Sequence, residues 1–116
     1  MLNPDRLTVK ASEAIQGAAR ECRRREHPQI EGVHLLQSLL EQEEGIVVPV
    51  LSKLGVDAKV IRERNAEALE SRARVSGGAD PTLARDLNKA LDIAEEEARN
   101  LGDEYVSTEP LLLGLA

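Results

Sequence analysis

The stretch Leu83-Ala84-Arg85-Asp86-Leu87-Asn88-Lys89-Ala90-Leu91-Asp92-Ile93-Ala94-Glu95-Glu96-Glu97-Ala98-Arg99 decides the fold, because it has a counterpart 76 positions earlier in the chain. Leu83, Leu87, Leu91, Ala94 and Ala98 recur at three- and four-residue steps, which places one apolar stripe along a helix. Slid back by 76 positions, Leu83 falls on Leu7, Ala90 on Ala14, Ala94 on Ala18, Glu97 on Glu21 and Arg99 on Arg23. The register survives the following loop: Leu111, Leu112 and Leu115 fall on Leu35, Leu36 and Leu39 without a gap. Leu87/Ala11, Leu91/Ile15, Ala98/Cys22 and Val106/Ile30 are apolar replacements at the same phase. Chance similarity between amphipathic helices reproduces stripes, but it does not hold register through a loop. The chain therefore reads as all-α and internally duplicated, with the two copies burying their apolar sides against each other about a pseudo-twofold axis.

Outward from that stretch, the first copy divides into four helices. The first carries Leu7, Ala11, Ala14, Ile15, Ala18 and Cys22 and ends near Arg23-Arg24-Arg25; Asn3-Pro4, Asp5 and Thr8 are alternative starts. His27-Pro28 leads into a short extended bridge, Gln29-Ile30-Glu31. A second helix follows with Val33, Leu35, Leu36, Leu39 and Leu40, ending around Glu43-Glu44-Gly45, where Gly45 is expected to relieve the backbone. Val47, Val50, Leu51 and Leu54 mark a third, with Pro49 in its first turn and Gly55 as a left-handed stop. Asp57 caps a fourth whose buried side is Val60, Ile61, Ala68 and Leu69. Val75-Ser76-Gly77-Gly78-Ala79 has the composition of a linker. Asp80-Pro81 then repeats the cap-plus-proline start, Gly102 stops the fifth helix, and Ser107 or Thr108 caps a sixth. The expected organisation is one domain over 1–116, with repeat one at about 3–73, a linker at about 75–79 and a partial repeat two at about 80–116. By analogy with the first copy, the second is expected to continue past Ala116, so the chain reads as a fragment.

Composition narrows the function. With no Phe, no Trp and Tyr105 as the single aromatic residue, the core must be aliphatic. A net charge of −6 without a basic run argues against nucleic acid. Cys22 stands alone, which excludes an intramolecular disulfide and suits a reducing compartment. The start Met1-Leu2-Asn3-Pro4-Asp5 lacks a signal-peptide pattern, and no apolar run approaches the roughly 20 residues of a membrane span. The chain is read as soluble and cytoplasmic. His27 and His34 lack metal-ligand spacing, His34 being read as capping or lining the second helix, and no nucleophile-base pair suggests an enzyme. Arg23-Arg24-Arg25 and Glu95-Glu96-Glu97 read as solvated faces.

The segment Leu101-Gly102-Asp103-Glu104-Tyr105-Val106-Ser107-Thr108-Glu109-Pro110-Leu111-Leu112-Leu113, with Leu7-Thr8 and Ile30-Glu31-Gly32-Val33-His34-Leu35-Leu36, resembles the Clp amino-terminal repeat domain. Gln42-Glu43-Glu44-Gly45-Ile46-Val47-Val48-Pro49-Val50-Leu51 and Ala73-Arg74-Val75-Ser76-Gly77-Gly78 are most similar to the branch found in ClpB, the bacterial disaggregase. The resemblance implies a recognition domain tethered above a hexameric AAA+ ring, binding exposed apolar segments of unfolded or aggregated clients and working beside a DnaK-type chaperone system. It implies no cofactor in this domain, with ATP and Mg belonging to AAA+ modules elsewhere; consistently, Gly77-Gly78 lacks the lysine of a phosphate loop. A second implied reading is docking of a dedicated adaptor, as in Clp unfoldases that serve a protease.

Matched residue by residue, the resemblance points to Thr8, Asp103 and Glu109 as a polar cluster and to Leu91, Ile93 and Pro110 as a neighbouring hydrophobic groove. Pro110 departs from the family, which usually has a larger residue there. Each has a structural alternative: capping for Thr8, Asp103 and Glu109, core packing for Leu91, and burial under a loop for Ile93. Tyr105, aligned with Gln29, is either a loop anchor or a client contact. The differences Gly17/Ile93, Gln29/Tyr105 and His34/Pro110 favour the second copy as the binding side.

Overall fold

The computed structural model describes residues 3–75 and 80–115, so most of the expected linker lies outside the described residues. Helix α1 spans Val9–Arg24. Of its three possible starts, Thr8 is the one used: its hydroxyl accepts from the Ala11 amide at 3.2 Å. Asn3 caps only a separate 3-10 turn, Pro4–Arg6, through the Asp5 amide. The two are kept apart because Leu7 is extended and forms a parallel bridge with Val106. Across that bridge the Thr8 amide donates to the Val106 carbonyl at 3.0 Å, and the Val106 amide to the Arg6 carbonyl at 2.7 Å.

The second copy corrects one expectation. Asp80-Pro81 does not start a helix; α5 spans Arg85–Asn100, with Ala84 at the cap position and no side-chain cap. Thr82–Leu83 instead forms β2, paired in parallel with β1 at Gln29–Ile30. The cause is the partner backbone: the Thr82 amide donates to the Pro28 carbonyl at 3.3 Å and the Ala84 amide to the Ile30 carbonyl at 2.9 Å. Leu83 is consequently 41% exposed and leaves the buried stripe. Displaced by 76 positions, Leu7 and Thr8 become Leu83 and Ala84, and Ile30 becomes Val106. The two junctions are therefore the same contact made reciprocally, each copy's helix start pairing with the other copy's loop.

Helix ends follow the same register. Glu26 and Gly102 both take positive φ, 58° and 76°. The next amide closes each helix, His27 onto the Cys22 carbonyl at 3.0 Å and Asp103 onto the Ala98 carbonyl at 2.9 Å. Helix α2, Gly32–Glu41, stops before the expected Glu43, and Glu44 rather than Gly45 carries the positive φ. Helix α3 is Val47–Lys53, and Gly55 turns the chain with φ 76° as expected. Asp57 caps α4, Ala58–Glu70, through the Lys59 amide at 2.9 Å. Val60 lies off the inward face of α4 and is 42% exposed, whereas Leu69 is fully buried. Asn65 is buried as well, and its amide donates to the Val33 carbonyl at 3.0 Å and Gln37 Oε1 at 3.3 Å.

Packing runs mainly α1 on α2 and α5 on α6, Thr108–Leu115. The copies meet through α2 on α6, with reciprocal α1–α6 and α2–α5 contacts. Ala11, Ala14, Ala18 and Cys22 on α1 and Ala90, Ala94 and Ala98 on α5 are buried, so small side chains let the helices approach. Leu35, Leu39 and Leu111 are 1% exposed, each burial contributing about 2–3 kcal/mol.

Candidate recognition site

The reciprocal junction shapes a cleft on the second copy. The Pro4–Arg6 turn is held beside Val106, and Gly102 bends the chain so that the loop after α5 returns over its last turn. Between them lies an open cavity of about 370 Å³ lined by Asn3, Arg6, Glu95, Ala98, Arg99, Asp103, Glu104 and Val106. Ala98 and Val106 supply apolar surface, and charged groups of both signs line the rest. Arg99 is held by Glu95 at 3.0 Å. Such a lining can accept backbone amides and carbonyls as well as side chains of either charge. Beside it, in the same loop, Leu101 is 65% and Tyr105 51% exposed.

Two of the expected groove residues are buried. Leu91 is buried, 7% exposed, and borders an apolar slot of only about 40 Å³ with Ile15, Ile30 and Leu87, about the space of one water. Pro110 is buried at the register position of His34. Pro110 takes the place of the fully buried His34, and Leu91 that of Ile15, which is half-buried against the core. Ile93 is 38% exposed, but it stands two residues before Glu95, roughly 200° around the helix and so away from the cleft.

The polar expectations divide. Asp103 lines the cleft. Thr8 is half-buried behind Val106 with its hydroxyl engaged as the α1 cap. Glu109 is exposed in the first turn of α6. Among the described residues no hydrogen bond joins the side chains of these three.

Residues 6–116 match the family described as the Clp repeat (R) N-terminal domain. The chain belongs to that family. It is 45% identical over 112 residues to the chaperone protein ClpB of Corynebacterium diphtheriae, an alignment covering 94% of this chain and 13% of that protein. The chain thus spans about an eighth of the length of the curated relatives it matches, 13%. Among solved structures it is similar to the N-terminal domain (1-163) of the ClpV1 ATPase from the E. coli EAEC Sci1 T6SS, with TM-score 0.87 and 32% identity over 97% of this chain and 68% of that one. A ClpV N-domain in complex with a VipB peptide shares the fold, with TM-score 0.81 and 21% identity over 96% of this chain and 68% of that one.

This Clp repeat domain has a second cleft, about 460 Å³, between α1 and α2, lined by Glu13, Gly17, Arg20, Glu21, Arg24, Ser38, Glu41 and Gln42. Arg23 and Arg24 are exposed as expected and Arg25 is half-buried, while Glu21 pairs with Arg24 at 2.6 Å and Arg25 at 2.7 Å. The hydrogen bond from Arg24, aided by that from Arg25, holds the Glu21 carboxyl below its usual range. In the second copy Ile93 stands for Gly17 and Gly114 for Ser38.

Asn3, Arg6, Glu95, Arg99 and Glu104 line the cleft without any individual signal in the sequence that marks them. The available signal is that Leu7 and Val106 occupy corresponding positions of the repeat pattern with Leu83 and Ile30. Their crosswise pairing, however, follows only once the copies are docked. Among the described residues no helix is long and apolar enough to cross a membrane, and no group of three or more His, Cys, Asp or Glu side chains is disposed to hold a metal ion.

Proposed function

We propose that this domain recognises polypeptide segments for an ATP-dependent chaperone ring, and that the contact surface is the cleft of the second copy with the Leu101–Tyr105 loop beside it. The observation that carries the reading is the combination of an open, mixed-charge cleft holding Asp103 with the half-exposed Tyr105 and Leu101 next to it. An extended client segment places backbone in the cleft and an apolar side chain against the loop. Thr8 contributes by fixing the α1 start and hence the wall formed by Arg6. Leu91 and Pro110 contribute through the packing of α5 and α6, Glu109 is a peripheral contact, and Ile93, on the other side of α5, offers a separate apolar contact. The parent protein is proposed to be a cytoplasmic AAA+ disaggregase of ClpB type acting on unfolded or aggregated clients beside a DnaK-type system. ATP and Mg are bound in its other modules. Neither nucleic acid nor membrane is a proposed partner.

Low affinity of one domain is compatible with this role, because several copies on a ring raise the effective concentration of sites. Titrating the labelled domain with an unfolded client and following backbone amide shifts is expected to perturb Asp103, Glu104, Tyr105 and Arg6. Tyr105→Ala is expected to weaken binding by about five- to tenfold. Perturbations confined to the α1–α2 cleft would overturn the assignment. A second reading, docking of one dedicated partner segment, is favoured by the ClpV N-domain seen with a VipB peptide. It predicts a saturable complex with one sequence, whereas client recognition tolerates many unrelated ones.

A further inference from the structure

Two buried histidines of the first copy take no part in the proposed surface. His34 is fully buried and His27 is 6% exposed. Their rings meet edge to face, with His27 Nδ1 and His34 Nε2 at 2.8 Å. The backbone N–H of Glu31 donates to His34 Nδ1 at 2.9 Å. That contact fixes every proton in the pair. An amide N–H only donates, so His34 Nδ1 is bare and the neutral ring carries its proton on Nε2. Nε2–H then donates to His27 Nδ1, which is bare in turn, and His27 keeps its own proton on Nε2.

This chain of bonds has no place for another proton. On His34, the proton would occupy Nδ1 and face the Glu31 N–H, donor against donor. On His27, it would occupy Nδ1 and face Nε2–H of His34; relieving that conflict moves the His34 proton to Nδ1, again against Glu31. Either way the bond to the start of α2 is lost.

What that bond secures is the junction between the copies. His27 and Glu31 bracket β1, whose Ile30 carbonyl accepts from the Ala84 amide. The loop also receives the Cys22 thiol, whose sulfur lies 3.3 Å from both the His27 and the Gln29 carbonyl oxygens and donates its one proton to either. The segment after α4 is tied to it by Arg72 on Glu31 at 3.0 Å and by the Val75 amide on the Glu26 carbonyl at 2.8 Å. We propose that the His27–His34 pair is a proton-sensitive latch, holding the β1–β2 junction and the end of α4 only while both rings are neutral.

The surroundings act in the same direction. Burial depresses both ring pKa values below the usual 6.5; Arg25, Arg72 and Arg74 lower His27 further, and His27 and Arg72 lower His34, while the negative charge of the Glu31 carboxylate opposes the shift on both. Because the folded state binds these protons less readily than the unfolded chain, the latch is complete above about pH 6.5 and is lost as pH falls through the depressed folded values.

The mirrored junction supplies the control, since Asp103 and Pro110 replace the two histidines there. The test follows amide exchange of Ala84 and Thr8, the equivalent amides of the two junctions, in the 116-residue chain from about pH 7.5 to about pH 5, with exchange rates corrected for intrinsic pH dependence. Protection at Ala84 is expected to fall about tenfold more than at Thr8, the size of effect that losing roughly one hydrogen bond gives. A parallel loss at both amides overturns the proposal. So does a nitrogen-15 histidine spectrum near pH 8 that shows either ring protonated at Nδ1. His27→Gln with His34→Gln keeps an acceptor for Glu31, glutamine being a capping-box residue at this position, and is expected to hold the ratio constant with pH. A ratio that still fell in this variant would also overturn the latch, and if the variant does not fold, the native exchange ratio and tautomers decide.

Discussion

Where Leu7 meets Val106, α1 starts from a threonine cap and the facing loop ends in Asp103 and Pro110. Where Leu83 meets Ile30, α5 starts from an uncapped Ala84 and the facing loop holds the bonded pair His27 and His34. The backbone bonds at the two junctions correspond, Thr8 to Val106 at 3.0 Å and Ala84 to Ile30 at 2.9 Å. Duplication therefore preserved the backbone contact, while the side chains around it diverged. In the first copy the loop is closed by histidines and by the end of α4. In the second it stays open beside a cleft and exposes Leu101 and Tyr105. One geometry thus serves as a sealed joint on one side and as an accessible surface on the other.

The comparison is most easily broken at the helix crossings. A Cβ on Gly114 would run into the Ala90 carbonyl, a backbone group that cannot turn away, whereas a Cβ on Gly17 would meet only the rotatable Ser38 hydroxyl. Gly114→Ala is therefore expected to destabilise the domain by about 2–3 kcal/mol, and chemical denaturation should report it as a lower midpoint. Gly17→Ala should cost far less, because better helix propensity of about 1 kcal/mol offsets the movement of Ser38. Equal losses would mean that the α1–α2 and α5–α6 crossings are equally tight.

The helix stops come next. Gly102 has φ 76° and open space where a Cβ would stand, so Gly102→Ala costs only backbone strain, about 1–2 kcal/mol by thermal melting. Glu26 sits in the same conformation at φ 58° and bears that strain already, so Glu26→Gly is expected to stabilise by ~0.5 kcal/mol.

The smallest effects belong to the helix starts. Thr8→Ala removes a cap and should cost about 1 kcal/mol, while Ala84→Ser adds one at the mirrored position and should return about 0.5 kcal/mol. Serine failing to stabilise α5 would show that the buried Ala84 position, 5% exposed, has no room for a hydroxyl.

Much of this is legible in the chain. The stripes of α1 and α5, the stops at Gly55 and Gly102 and the cap at Asp57 are local, set by side-chain periodicity, backbone freedom and a carboxylate within reach of nearby amides. Val60 departs from its expected buried side because one step along a helix turns a side chain by about 100°, enough to exchange core for solvent. Asp103 and Tyr105 are legible through the loop motif. Leu91 and Pro110 match groove positions of the motif and yet are buried, since a motif marks position along the chain and not which way a side chain faces.

By itself, the sequence determined the helices, their duplication at 76 residues and the family, because each is written in spacing that survives without tertiary contacts. Tertiary structure alone decided that Thr82–Leu83 is a strand, that Arg6 and Arg99 share a cleft with Asp103, and that His27 and His34 touch. Those outcomes depend on hydrogen bonds and close packing between residues brought together by folding. The first two appear only when the two copies dock, whereas the histidine contact forms within the first copy, once the loop after α1 folds back on the start of α2.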